Sequence, residues 1–128
     1  MKNHISNMVS IINNGHLAKK SFVMLVKKKS CEKILNILWD EGFILGYKFS
    51  SKNPNKLKIF LKYQNGNPVI KLIKTISKPR LRIYYSVKNL WKLDPSIGLL
   101  ILSTNKGFMS SFQCKKQVVG GEPFILIK

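Results

Sequence analysis

The stretch Ser103-Thr104-Asn105-Lys106-Gly107-Phe108-Met109 follows an apolar run, Ile97-Gly98-Leu99-Leu100-Ile101-Leu102, that reads as a buried strand. After it, Ser110 to Gln117 is polar enough to start a short helix. A tight turn at a strand end is therefore expected, built from small hydroxyls, an amide, a lysine and a glycine. Two readings stay open for it. Ser, Thr, Asn and Gly are what ordinary hairpin turns use. The same residues can also bring backbone N–H groups, two hydroxyls and an ammonium to a phosphate or base edge, because glycine permits φ > 0 and removes a Cβ from the approach path.

Charge favours a polyanion as the partner. The 128 residues are 45% hydrophobic, which is ordinary for a globular fold, yet 23 Lys+Arg against 5 Asp+Glu give a net charge of +18. Few monomers carry that self-repulsion without an anionic partner. The segment through Gln64 holds 12 lysines and three carboxylates, and the remainder 11 basic residues and two carboxylates, so each part carries +9. Binding over an extended surface follows, as for a protein embedded in nucleic acid. Arg80 and Arg82 are the only arginines, and the lysine, isoleucine and asparagine content reads as the imprint of an AT-rich genome, pointing to an organellar or parasitic gene.

Periodicity gives the organisation. Ile5, Met8, Val9 and Ile12 share one helical face between Asn3 and Asn14, with Gly15 expected to stop that helix. Ser21–Val26 reads as a strand. A second helix is expected from Ser30, as N-cap, to Glu41, with Cys31, Ile34, Leu35 and Leu38 inward and Gly42 at its end. Lys27-Lys28-Lys29 crowds its N-terminus, where cations oppose the helix dipole. Two alternating runs then predict a hairpin, Phe43, Leu45, Tyr47 and Phe49 forming one apolar row and Leu57, Ile59, Leu61 and Tyr63 the other. Gln64-Asn65-Gly66-Asn67-Pro68 is the strongest break. The expected fold is α+β in two small domains: an α-β-α-β-β layer over 1–64, and a mainly β domain over 69–128 with short helices at Ser86–Leu93 and after Ser110. Strands are expected at Val69–Ser77, Leu81–Tyr85, Ile97–Leu102 and Pro123–Ile127.

The raw materials of catalysis are scarce. His4 and His16 have no triad or metal-ligand spacing around them, Cys31 and Cys114 form no CxxC pair, and no phosphate-binding glycine fingerprint is present. No catalytic residue, metal, cofactor or small-molecule substrate is expected. No run approaches the ~18 apolar residues of a membrane span, and no secretory or transit segment is visible. Arg82 and Tyr84, beside the Ser77-Lys78-Pro79 turn, offer a guanidinium and a phenol to RNA; Tyr85, by alternation, belongs to the core.

In this order the segments resemble the bacterial-type small-subunit ribosomal protein eight family over essentially the whole chain. The resemblance rests on Gly98-Leu99-Leu100-Ile101-Leu102-Ser103-Thr104-Asn105-Lys106-Gly107-Phe108-Met109, similar to the family's Ser-Thr-x-x-Gly signature. Three further blocks agree in order: Asp40-Glu41-Gly42-Phe43-Ile44, Ser77-Lys78-Pro79-Arg80-Leu81-Arg82-Ile83-Tyr84 and Gly120-Gly121-Glu122. The resemblance implies a structural, non-enzymatic protein that binds the central domain of small-subunit rRNA beside neighbouring ribosomal proteins. Together with the AT-rich composition, the expected location is an organellar, mitochondrial ribosome. It implies base or sugar contacts for Ser103 and Thr104, a phosphate contact for Lys106 and close approach at Gly107, with Asn105 in the same turn. Lys29, Ser77, Lys78, Arg82, Tyr84 and Glu122 are the other implied interface residues. The chain departs from the pattern at Arg80, where the family has glycine, at Ile11 and Asn13, where it carries arginines, and at Ser111, where an acidic residue is usual. The competing function is a metal-dependent nucleic-acid-processing enzyme using Glu41 or Glu122; five carboxylates in all argue against it.

Overall fold

The computed structural model describes residues 2–76, 84–93 and 95–128. The chain divides into two units, Met1–Lys71 and Leu72–Lys128. The class is α+β, with helices and strands in both.

In the first unit, α1 (Lys2–Leu17) turns Ile5, Met8, Val9 and Ile12 into one buried stripe, as the i, i+3, i+4, i+7 spacing requires. The helix passes through Gly15 instead of stopping there. A Cβ at Gly15 would lie 2.5 Å from Val23 Cγ1 and 2.9 Å from Leu61 Cδ1, so the glycine lets helix and sheet approach. Strands β1 (Phe22–Val26), β2 (Ile44–Phe49) and β3 (Lys56–Leu61) form an antiparallel sheet in the order β1-β3-β2. Val23, Leu25, Leu57, Ile59 and Leu61 are buried.

Helix α2 (Lys29–Asp40) packs on β2 and α1 and buries Cys31, Ile34, Leu35 and Leu38. Its N-cap is Lys28, extended at φ −141, ψ 137 and without a side-chain cap; the Glu32 N–H bonds the Lys28 carbonyl. Ser30, the expected cap, therefore stands inside the first turn. The C-terminus is as the sequence predicts: Gly42 has φ +79, Phe43 N–H donates to Leu38 O, and Gly42 N–H to Trp39 O. This is the double bond of a Schellman cap.

The first hairpin differs from its expected alternation. The pairing slips between Ile44, opposite Leu61, and Gly46, opposite Phe60, so an extra residue enters β2. A bulge shifts the side-chain parity: Ile44 is buried, whereas Leu45 is 61% exposed. Gly46 occupies φ +146, and a Cβ there would meet the Trp39 indole at 2.9 Å. At the expected break, β4 (Tyr63–Gln64) and β5 (Asn67–Pro68) pair across Asn65 and Gly66. Both central residues have positive φ, +54 and +80, the geometry a two-residue hairpin favours. This small hairpin lies within the first unit.

The second unit holds a four-stranded antiparallel sheet in the order β6-β9-β7-β8, made of β6 (Ile73–Thr75), β7 (Leu99–Thr104), β8 (Gly107–Ser110) and β9 (Glu122–Ile127). Leu99 to Leu102 are all buried, which is why β7 reads as an unbroken apolar run. Two short helices, α3 (Val87–Lys92) and α4 (Ser111–Gln117), pack together, and Leu90 and Cys114 join Leu100, Leu102 and Met109 in one core. Ser86 Oγ accepts from Asn89 N–H and Ser110 Oγ from Gln113 N–H, both at 3.3 Å, so each serine caps its helix. Among the described residues of the Val69–Ser77 run, Ile73–Thr75 alone are strand, and Ser77 lies outside those residues. Most of the Leu81–Tyr85 run lies outside the described residues; Tyr85 is half-buried against the core.

Candidate nucleic-acid interface

Strands β7 and β8 meet at the signature turn, Thr104 opposite Gly107 and Ser103 opposite Phe108. Two residues, Asn105 and Lys106, span the gap, both exposed. Gly107 follows at φ +104, a conformation that strains any residue with a Cβ. The Thr104 hydroxyl donates to Gly107 O at 2.8 Å and accepts from Lys106 N–H at 3.1 Å, with Met109 Sδ 3.4 Å away. Thr104 therefore clamps the turn. Lys106 Nζ is 3.5 Å from Gln117 Oε1 of α4, a weak contact that leaves the ammonium to solvent.

Ser103 differs from its neighbour. It is half-buried, opposite Phe108 on one side and Glu122 on the other, so the three residues share one face at this end of the sheet. No partner for the Ser103 hydroxyl occurs among the described residues. Phe108 meets Phe124 edge-on, ring centroids 5.4 Å apart. The β7–β9 pairing slips between Ile101 and Leu102, so that Leu102 faces Pro123; a proline without an N–H is tolerated at such an irregularity. Glu122 is half-buried and partnered.

Two glycines hold the separate sequence blocks together. A Cβ at Gly121 would lie 2.6 Å from Ser103 O and 2.9 Å from Thr104 Cγ2. One at Gly120 would strike Tyr85 O and lie 2.9 Å from Tyr84 Oη. Tyr85 and Gly121 exchange both backbone hydrogen bonds, at 2.8 and 2.9 Å. Tyr84 thus rests its phenol tip over Gly120 and leaves its ring 67% exposed. Sequence reasoning assigned Gly120 and Gly121 no role at the interface; the adjacent glycines before Glu122 were the available signal.

The structure brings Tyr84, Ser103, Thr104, Asn105, Lys106, Gly107 and Glu122 to one end of the second unit's sheet. Ser77, Lys78 and Arg82, with Arg80, lie outside the described residues. Lys29 belongs to the first unit, exposed in the first turn of α2.

The chemistry here is that of recognition. Burial pushes the Cys31 and Cys114 thiols up from their ordinary pKa, away from nucleophilic use. Among the described residues no group of three His, Cys, Asp or Glu could hold a metal ion. No described helix is long and apolar enough to cross a membrane.

Comparison with known proteins agrees with the order of the blocks. Residues 3–127 match the family described as Ribosomal protein S8. The small ribosomal subunit protein uS8c of Chlorella vulgaris is 45% identical over 127 residues, covering 92% of each chain. The uS8 proteins of Legionella pneumophila (strain Corby) and Buchnera aphidicola subsp. Cinara cedri (strain Cc) are 44% and 39% identical, each covering 95% of this chain. With nearly every element above inside the matched span, the chain belongs to the Ribosomal protein S8 family.

Proposed function

We propose that this protein is a structural constituent of the small ribosomal subunit that binds small-subunit rRNA, in its central domain, and supports assembly and translation. The near full-length family match carries this reading, and the named relatives are small-subunit proteins. As a member of that family the protein is structural, not an enzyme. Lysines spread over 1–64 and 69–128 neutralise phosphate and give salt-dependent affinity. The Ser103–Gly107 turn sets register: the Ser103 hydroxyl reaches a base or sugar edge, Asn105 offers an amide beside it, Lys106 meets a phosphate and Gly107 permits close backbone approach. Tyr84 and Glu122 flank the contact, and Ser77, Lys78 and Arg82, which precede Tyr84 in the chain, complete the set; Lys29 adds a phosphate contact from the first unit.

The finer location is an organellar ribosome, in the mitochondrial matrix. Composition supports it, since 21 of the 23 basic residues are lysine. Cell fractionation that left the chain with bacterial or plastid ribosomes would overturn the location without touching the ribosomal role. The central domain is tested by binding to separate rRNA fragments. A central-domain fragment should bind tightly in competition with the 5′ and 3′ domains; equal binding to all three would reject the assignment.

A further inference from the structure

Strand alternation leaves the first unit's sheet with an unusual outward face. Val23, Leu25, Leu57 and Ile59 are buried, so Phe22, Met24, Lys58 and Phe60 point away from that core. Register places Phe22 opposite Phe60, and Lys58 between Met24 on one side and Lys48 on the other. Lys58 Nζ lies 4.0 Å from the Phe22 ring centroid and 5.5 Å from that of Phe60, while Lys48 Nζ is 5.7 Å from Phe60. Phe22 is 39% exposed. A depression of about 310 Å³ opens beside these residues, edged by Ser50 and Lys52.

We infer that this face is a second nucleic-acid surface, one on which the unpaired bases of an RNA strand stack. Two aromatic rings facing solvent side by side lose free energy to water, and directly opposed Lys48 and Lys58 repel each other. A solvated face would carry alternating charge, yet β1, β2 and β3 contain no carboxylate. One ligand removes both costs together. Bases stack on exposed rings whatever their sequence, and the phosphates linking them neutralise interleaved lysines. The cation–π contacts show that the faces of these rings are open enough to accept a cationic partner.

The inference rests on the rRNA reading only for choosing RNA as the polyanion; its residues are separate from the signature turn. The test uses the full chain and an unstructured oligouridine of about eight nucleotides, a length in the range that single-strand-binding folds occupy. Phe22→Thr and Phe60→Thr replace each ring with a strand-favouring β-branched residue, and each should weaken binding about tenfold, the weight of one stacked base. Lys48→Gln with Lys58→Gln should lower the slope of log affinity against log salt by roughly 1.4, two single-strand phosphates. Ser103→Ala, measured on the cognate rRNA fragment, reports the turn, whereas the threonine variants, measured on oligouridine, report this face, so failure at the turn and failure here are told apart. In the unaltered protein, a 4-thiouridine oligomer should crosslink to the peptides containing Phe22 or Phe60, a readout independent of variant stability. Crosslinks confined to the second unit, wild-type affinity in both threonine variants, or binding of phosphatidylserine vesicles without oligouridine would each overturn the proposal.

Discussion

Ser103 and Thr104 are adjacent hydroxyl residues whose surroundings give them different tasks. Thr104 Oγ1 is engaged by Gly107 O and Lys106 N–H, so its removal loosens the turn; Ser103 has a hydroxyl to offer. Ser103→Ala should remove about 1–3 kcal/mol of discrimination for the cognate rRNA fragment with little change in salt slope, whereas Lys106→Ala should flatten that slope by roughly one phosphate. Filter binding across a salt series reads both, and wild-type behaviour in both variants would reject the site. His16 is a second residue with a measurable consequence. It is 7% exposed, neither ring nitrogen has a hydrogen-bond partner among the described residues, and it meets Tyr63 edge-on at 5.4 Å. Burial lowers its pKa in the folded state. The unfolded chain therefore binds this proton more readily, and the stability that neutral His16 contributes is present above the ordinary pKa of about 6.5 and lost as pH falls below it. Thermal melts should show His16→Phe with a flatter decline than wild type between neutral and mildly acid pH; parallel curves would refute the assignment.

At the scale of elements, the regular pieces were legible because hydrophobic period was enough to specify them. The stripe of α1, the Schellman end of α2 at Gly42, the apolar run of β7 and the presence of short helices after Ser86 and Ser110 follow from local sequence. What escaped local reading depended on a partner distant in the chain. Gly15 reads as a helix stop until Val23 and Leu61 are seen pressed against it. The β2 bulge that turns Leu45 outward depends on pairing with β3 and on Trp39 beside Gly46. The end of α4 escaped for a local reason, since a left-handed C-cap is ordinarily marked by glycine: here it is Val118, at φ 57, ψ 50 and 71% exposed. A β-branched residue pays there about 1–2 kcal/mol that glycine would not. Val118→Gly should raise the melting temperature by several degrees, since about 1 kcal/mol is worth ~4–8 °C in a domain of this size. An unchanged or lower melting temperature would show that the strain is relieved elsewhere.

For the molecule as a whole, charge identified the class of partner and the ordered blocks identified the family. Neither could have shown that Gly120 and Gly121 join the Tyr84 block to the Ser103 block, because that contact exists only once β9 lies beside β7. The proposed function makes affinity and specificity separable: it assigns the first to lysines across both units and register to one turn at the end of a sheet. The most direct measurement of the central claim is sedimentation of the tagged full-length chain from a cell extract at moderate salt. The protein should travel with small ribosomal subunits, and the Ser103→Ala, Lys106→Ala double variant should shift toward the free fraction. Wild-type protein found only at the top of the gradient would contradict the account.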